Sequence, residues 1–391
     1  MTDFDKVYTR RNTNSVKWDT INQTYNEENL LPMWVADMDF KVNEPVLKAL
    51  KETIDHGILG YIETPNSLYD AIQNWQKRHH NYSIEKEAIL FNSGVVPSIS
   101  LAIQAYTSVG DAVMIHDPVY PPFATVVQKN RRKLIRTTLI EENGHFVMNY
   151  DEIERLIRSE SVKLFVLCNP HNPGGRVWHQ TELEMLGNLC AKYNVIVVSD
   201  EIHQDLIFSP NVFTTFANAH PTFKDFSITL TAATKTFNLA GIKNSMVFIE
   251  NPDLREKFSS VQQINQQHEI NTFGYIGTEA AYVHGDQWLD DLLKYLTKNI
   301  TLVSKFLASE LPNVKMMKPE GTYLIWLDFS TFNLTDQQIQ NRLIHEGKVV
   351  LNPGISFGPA GTQHMRLNVA CSKEVLVDGL NRIKRAFQDF A

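Results

Sequence analysis

The chain has 391 residues, 43% of them hydrophobic and 21% charged, proportions of a globular protein with room for two or three domain-sized units. A net charge of −7 excludes a basic stripe for nucleic acid and a polybasic patch for a membrane surface, and no apolar stretch approaches the roughly 20 residues of a bilayer span. The three cysteines, Cys168, Cys190 and Cys371, form no CxxC pair and no metal-ligand spacing. The acidic start lacks the basic and apolar segments of a signal peptide, so a cytoplasmic protein without a metal is expected.

Residues 1–44 are polar and irregular apart from an apolar island at 30–40, a pattern suited to wrapping another surface. Helices are predicted at 44–55 and 65–80, then a strand at 88–92, the turn Ser93-Gly94 and a helix at 97–106. Strands follow at 111–116 and 133–140. The runs 162–168 and 195–199 are β-branched without polar alternation, as in strands buried on both faces. A helix at 181–193 lies between them, which implies a right-handed crossover and a parallel sheet. Strands at 226–230 and 245–249 continue it. After about residue 269 a long amphipathic helix, 288–311, leads into strands at 323–328, 349–351 and 365–369. A last helix sets Leu376, Leu380, Ile383 and Phe387 on one stripe. The expected class is α/β: a large unit at 45–285 with a mostly parallel sheet flanked by helices, and a smaller α+β unit formed by 286–391 with 1–44.

Ligands of such sheets gather beyond the carboxyl ends of the strands, and four candidate groups fall there. Ser93-Gly94-Val95-Val96 joins a strand to a helix, where free amides and the helix dipole suit a phosphate; a simple turn is the alternative. Asn169-Pro170-His171-Asn172-Pro173-Gly174-Gly175 is stiffened by prolines and could aim the Asn172 amide; ordinary turn chemistry is the alternative. Asp200, in Asp200-Glu201-Ile202-His203, could hold a pyridine nitrogen protonated or merely cap a helix. Lys235 sits among hydroxyls in Thr231-Ala232-Ala233-Thr234-Lys235-Thr236, and a solvated lysine is its common alternative. Together they meet the needs of an aldehyde cofactor, pyridoxal 5′-phosphate: an amine for a Schiff base, a carboxylate for the ring nitrogen, a donor for the phenolic oxygen and donors for the phosphate.

At these residues the chain resembles the fold-type I pyridoxal-phosphate enzymes, the aspartate aminotransferase superfamily, over almost its full length. Phe4-Asp5, Arg10-Arg11-Asn12-Thr13-Asn14-Ser15-Val16-Lys17-Trp18-Asp19 and Trp34-Val35-Ala36-Asp37-Met38-Asp39-Phe40 resemble the MalY/PatB branch of cystathionine β-lyases. The resemblance implies that Lys235 carries the cofactor, Asp200 pairs with its ring nitrogen and Asn172 bonds its phenolic oxygen. His203 stands where many relatives have tyrosine. Tyr120 would stack on the ring. Val95, Val96, Thr234 and Lys243 would hold the phosphate, and Tyr61 would reach the phosphate of the other subunit of a homodimer. Arg366 would clamp the substrate carboxylate, which Val35, Ala36 and Asn172 would flank. Two departures stand out. Ala232 replaces a frequent serine, leaving Thr231 or Thr234 to supply a hydroxyl, and Lys243 replaces a frequent arginine. Trp18 and Trp34 read as packing anchors, and Asp37 and Asp39 as turn formers.

The implied activity is a carbon–sulfur β-lyase that converts cystathionine or other S-substituted cysteines to thiol, pyruvate and ammonia. Composition alone does not separate this from transamination, and a ligand-sensing protein on the same scaffold is a reading of another class.

Overall fold

In the computed structural model, which describes residues 2–390, the run Leu164–Cys168 exposes no side chain to water. A strand of this kind must be covered on both faces. It pairs in parallel with Ala112–Asp117 on one side and Ile196–Asp200 on the other. These are the centre of a seven-stranded sheet in the order Ile89–Asn92, Ser245–Phe248, Ser227–Thr231, Ile196–Asp200, Leu164–Cys168, Ala112–Asp117, Lys133–Thr138. The mostly parallel sheet flanked by helices is the expected α/β class.

Ser245–Phe248 is antiparallel to both neighbours. Periodicity identifies a strand but not its direction. Direction follows from the connection, and residues 232–244 carry only the four-residue helix Ala233–Thr236 and a short 3-10 turn. The chain therefore turns back over the carboxyl edge instead of crossing the sheet face. Among the described residues, four helices of eight or more residues escaped the sequence pattern: Pro122–Lys129, Tyr150–Glu160, Pro252–Ile264 and Thr272–His284. Three of them begin on asparagine caps, with Asn149 accepting from Glu152, Asn251 from Asp253 and Leu254, and Asn271 from Gly274, a start signal that the apolar spacing alone does not carry.

A second, four-stranded antiparallel sheet runs Lys315–Met317, Leu324–Asp328, His364–Asn368, Asn352–Pro353. The strand expected at 349–351 does not join it. Val349–Val350 pairs in parallel with Leu31–Pro32, so the apolar island near the N-terminus does pack against the C-terminal part. The helix Lys373–Ala386 buries Leu376, Leu380 and Ile383, with Phe387 just beyond its end. At roughly 1.5–3 kcal/mol for each such side chain, this stripe outweighs helix propensity in fixing the element. Among the described residues no helix is long and apolar enough to cross a membrane, and no cluster of three His, Cys, Asp or Glu side chains could hold a metal.

Candidate active site

The carboxyl ends of the parallel strands open into one cavity of about 260 Å³. Ala36, Val95, Val96, Tyr120, Asn172, Asp200, His203, Thr234, Lys235 and Lys243 all line it. Each is placed by the element that precedes it. Asp200 is the last residue of its strand, and Lys235 lies one turn into the helix after Thr231. Ser93 and Gly94 end the loop where Val95–Tyr106 begins.

Burial dominates the electrostatics. It pushes the Asp200 carboxyl up to about 7, against the bond from the Ile202 amide (3.1 Å) and the charge of Lys235. It lowers Lys235 to about 8, with Arg366 adding to the effect and Asp37 and Asp200 opposing it. Lys235 Nζ donates to the carbonyl of Ala36 at 2.5 Å. His203 is held neutral by burial and by the Lys235 and Arg366 cations, and its Nδ1 has no partner.

Arg366 is 3% exposed. It donates to Asn172 Oδ1 at 3.0 Å, and to the Trp34 carbonyl and Asn352 Oδ1 at 2.7 Å each, leaving Nε unpaired. An unpaired guanidinium N–H in a buried setting is a donor awaiting an acceptor. The Asn172 loop is tied down from below. Gly175 takes φ +69°, with Pro319 so close that a Cβ would meet it at 2.6 Å. Arg176 binds both oxygens of Glu320 and both of Glu182 at 2.7–2.8 Å.

One expected residue lies elsewhere. Tyr61 is fully exposed, in a separate groove with residues 268–272. Val35 turns its carbonyl to Asn368 at 2.6 Å beside the cavity. Of the two candidate hydroxyls, Thr234 lines the cavity, whereas Thr231 donates to the Glu201 carbonyl at 3.4 Å. Asp37 and Asp39 are more than turn formers: their carboxylates pair with Arg10 and Lys17, and Trp18 Nε1 donates to Asp39. The sequence reading missed Tyr323, whose hydroxyl donates to the Ala36 carbonyl at 3.0 Å. It also gave no role to Asn352, Asn368 or Asn244. Nothing in the sequence pairs Tyr323 with residue 36, which is 287 positions away.

This donor set fits pyridoxal phosphate. The amides at the start of Val95–Tyr106, Thr234 and Lys243 suit a phosphate. Asp200 suits a cationic ring nitrogen, and a buried amine near neutrality suits an aldehyde. His203, whose buried Nδ1 has no partner, lines the same cavity.

The chain belongs to the aminotransferase class I and II family, which matches residues 29–383. Within it, the chain is 45% identical to cystathionine beta-lyase PatB of Bacillus subtilis (strain 168), over 98% of this chain and 99% of that protein. It is 30% identical to protein MalY of Escherichia coli (strain K12), over 97% of each. Its structure resembles that of the PLP-bound C-S lyase from Staphylococcus hominis with a TM-score of 0.92 and 32% identity, covering 98% of this chain and 97% of the other.

Proposed function

We propose that this protein is a pyridoxal-phosphate-dependent carbon–sulfur β-lyase that cleaves cystathionine or another S-substituted L-cysteine to thiol, pyruvate and ammonia. The observation that carries the reading is the meeting of Lys235 and Asp200 in one buried cavity, in a chain 45% identical over nearly its full length to a cystathionine β-lyase. When bound, the cofactor supplies an electron sink that acidifies the substrate α-carbon.

The chain's own residues do the rest. Lys235 would hold the cofactor and, as the buried amine of the cavity, would take the α-proton as general base. Asp200 would pair with the ring nitrogen and keep it cationic. Arg366 clamps the α-carboxylate, with Asn172 and the Val35–Ala36 backbone at its flank. Tyr120 would cover the ring face, and Asn172 would bond the phenolic oxygen. Val95, Val96, Thr234 and Lys243 would hold the phosphate. Loss of thiolate from the β-carbon and hydrolysis of what remains balance as substrate plus water giving thiol, pyruvate and ammonia.

We further place the protein in the cytoplasm as a homodimer in which Tyr61 reaches the partner's phosphate, and divide it into units at 45–285 and at 1–44 with 286–391. The exposure of Tyr61 beside Ile58 and Leu59 supports the dimer, and the four-stranded sheet drawn wholly from residues 315–368 supports the division. Incubation with cystathionine and S-alkyl cysteines, reading pyruvate and free thiol, tests the activity. Pyruvate and thiol in equal amounts are expected, and none from Lys235→Ala. Transfer of the amino group to a keto acid without pyruvate would make the protein an aminotransferase, and binding without turnover a sensor.

A further inference from the structure

Residues 34–39 enter the site through their backbone. The Trp34 carbonyl takes a hydrogen bond from Arg366, and the Ala36 carbonyl takes one each from Lys235 and Tyr323. Neither sheet includes this segment; its inner side is held by Asn368, which donates to the Val35 and Asp37 carbonyls, by Asn238 at Met38, and by the Asp39 amide on the Ala370 carbonyl. Its outer side is fixed by charge. Arg10 donates to both Asp37 oxygens at 2.9 and 2.7 Å and to Asp39 at 2.8 Å. Lys17 Nζ donates to Asp39 at 2.8 Å and to the Asp37 carbonyl at 3.3 Å. Lys17 is 2% exposed, and a buried ammonium persists only where anions and carbonyls replace its water. Two cations thus face two anions in a balanced knot behind the segment whose carbonyls face the site.

We propose that Arg10 and Lys17 are positioning residues: through Asp37 and Asp39 they hold the Trp34 and Ala36 carbonyls against Arg366 and Lys235, and so set the affinity for the substrate α-carboxylate. Neither side chain lines the cavity. Their reach is through the backbone. Fork recognition of a carboxylate depends on the plane of the guanidinium, and the Trp34 carbonyl, with Asn352, fixes that plane from one nitrogen. The inference rests on the proposed reading only in assigning the carboxylate to Arg366.

The test uses cofactor-loaded protein with Arg10→Gln, whose parent residue is partly exposed, and Lys17→Met. L-Alanine carries the amino and carboxylate groups without a leaving group, and its binding is followed by cofactor absorbance. Its Kd is expected to rise about tenfold, the loss of roughly one oriented hydrogen bond to a charged group, and KM for cystathionine with it, while kcat changes by less than about threefold. Amide hydrogen exchange quickens at 34–39 and not in the central strands. Lys17→Arg recovers most of the affinity. An unchanged L-alanine Kd in both variants overturns the proposal. So does a weaker Kd accompanied by faster exchange throughout the chain, which is general destabilisation. If the lyase reading itself is wrong, wild-type protein yields no pyruvate from cystathionine, while the L-alanine and exchange measurements still answer.

Discussion

Asp200 and Lys235 are both buried where water would have stabilised their charges, and their proton affinities move in opposite directions from the usual values, the carboxyl up to about 7 and the amine down to about 8. For the carboxyl this has a thermodynamic consequence. In the cofactor-free protein, Asp200 keeps its proton between the unfolded value of 3.8 and about 7, whereas the unfolded chain has lost it. The folded state then binds more protons, so this group's contribution to stability falls as pH rises through that window. Asp200→Asn removes the titration. Its stability relative to wild type, measured by urea unfolding without cofactor, should climb with pH by up to about 1.4 kcal/mol per unit. A flat difference from pH 4 to 7 would refute the assignment of that shift to Asp200. Arg366→Lys keeps the charge and loses the fork. KM for the amino-acid substrate should rise about 10- to 150-fold, the loss of one charged hydrogen bond, with a smaller change in kcat. Steady-state kinetics decide it, and equal KM values would remove Arg366 from carboxylate binding.

At the scale of elements, the helix Gln180–Lys192 shows how tightly the crossover is seated. Gly187 lies so close to Phe223 that an added Cβ would meet its ring at 2.1 Å. Gly187→Ala should therefore destabilise the fold by about 1–3 kcal/mol, since an overpacked core has to shift, in spite of alanine's better helix propensity. Thermal and denaturant midpoints check this, and a stabilised variant would mean that Phe223 has room to move. The crossover itself could be read from sequence because the runs 162–168 and 195–199, apolar but for Lys163 and Ser199, leave few alternatives to buried parallel strands. Residues at strand ends, Asp200, Asn172 and Lys235, were legible for the same reason: chemistry that follows an apolar run falls at the sheet edge. The reversed strand Ser245–Phe248 was not, because direction is carried by the connection. Nor were Tyr323 and the Asp37–Asp39 knot legible as site features, because their contacts join distant parts of the chain with no local pattern to announce them. The N-terminal segment packs with the C-terminal part twice over: Leu31–Pro32 pairs with Val349–Val350, and Arg366 and Asn368 of the four-stranded sheet donate to the carbonyls of Trp34, Val35 and Asp37.

At the scale of the whole molecule, the cavity draws on residues from 36 to 244, and Arg366 adds a contact from the second sheet. Tyr61 would add a group from a neighbouring copy. Mixed dimers test this. A Lys235→Ala subunit paired with a Tyr61→Phe subunit should contain one intact site, made of the second subunit's lysine and the first subunit's tyrosine. Refolding the two variants together should restore about half of the wild-type turnover per mixed dimer if each tyrosine serves the opposite site. Additive residual rates from the separate variants would show that it does not.

The cysteines acquire a meaning from the chemistry proposed. All three are free and buried, and Cys168 borders the cavity itself. Burial and the charge of Asp200 hold its thiol well above the usual range, and its sulfur lies 3.4 Å from the Pro170 carbonyl and from the Asn172 amide. A protonated, enclosed thiol is a poor partner for exchange with disulfides. A catalyst whose product is itself a thiol can thus work in a mixture of reduced and oxidised sulfur compounds without being capped by them.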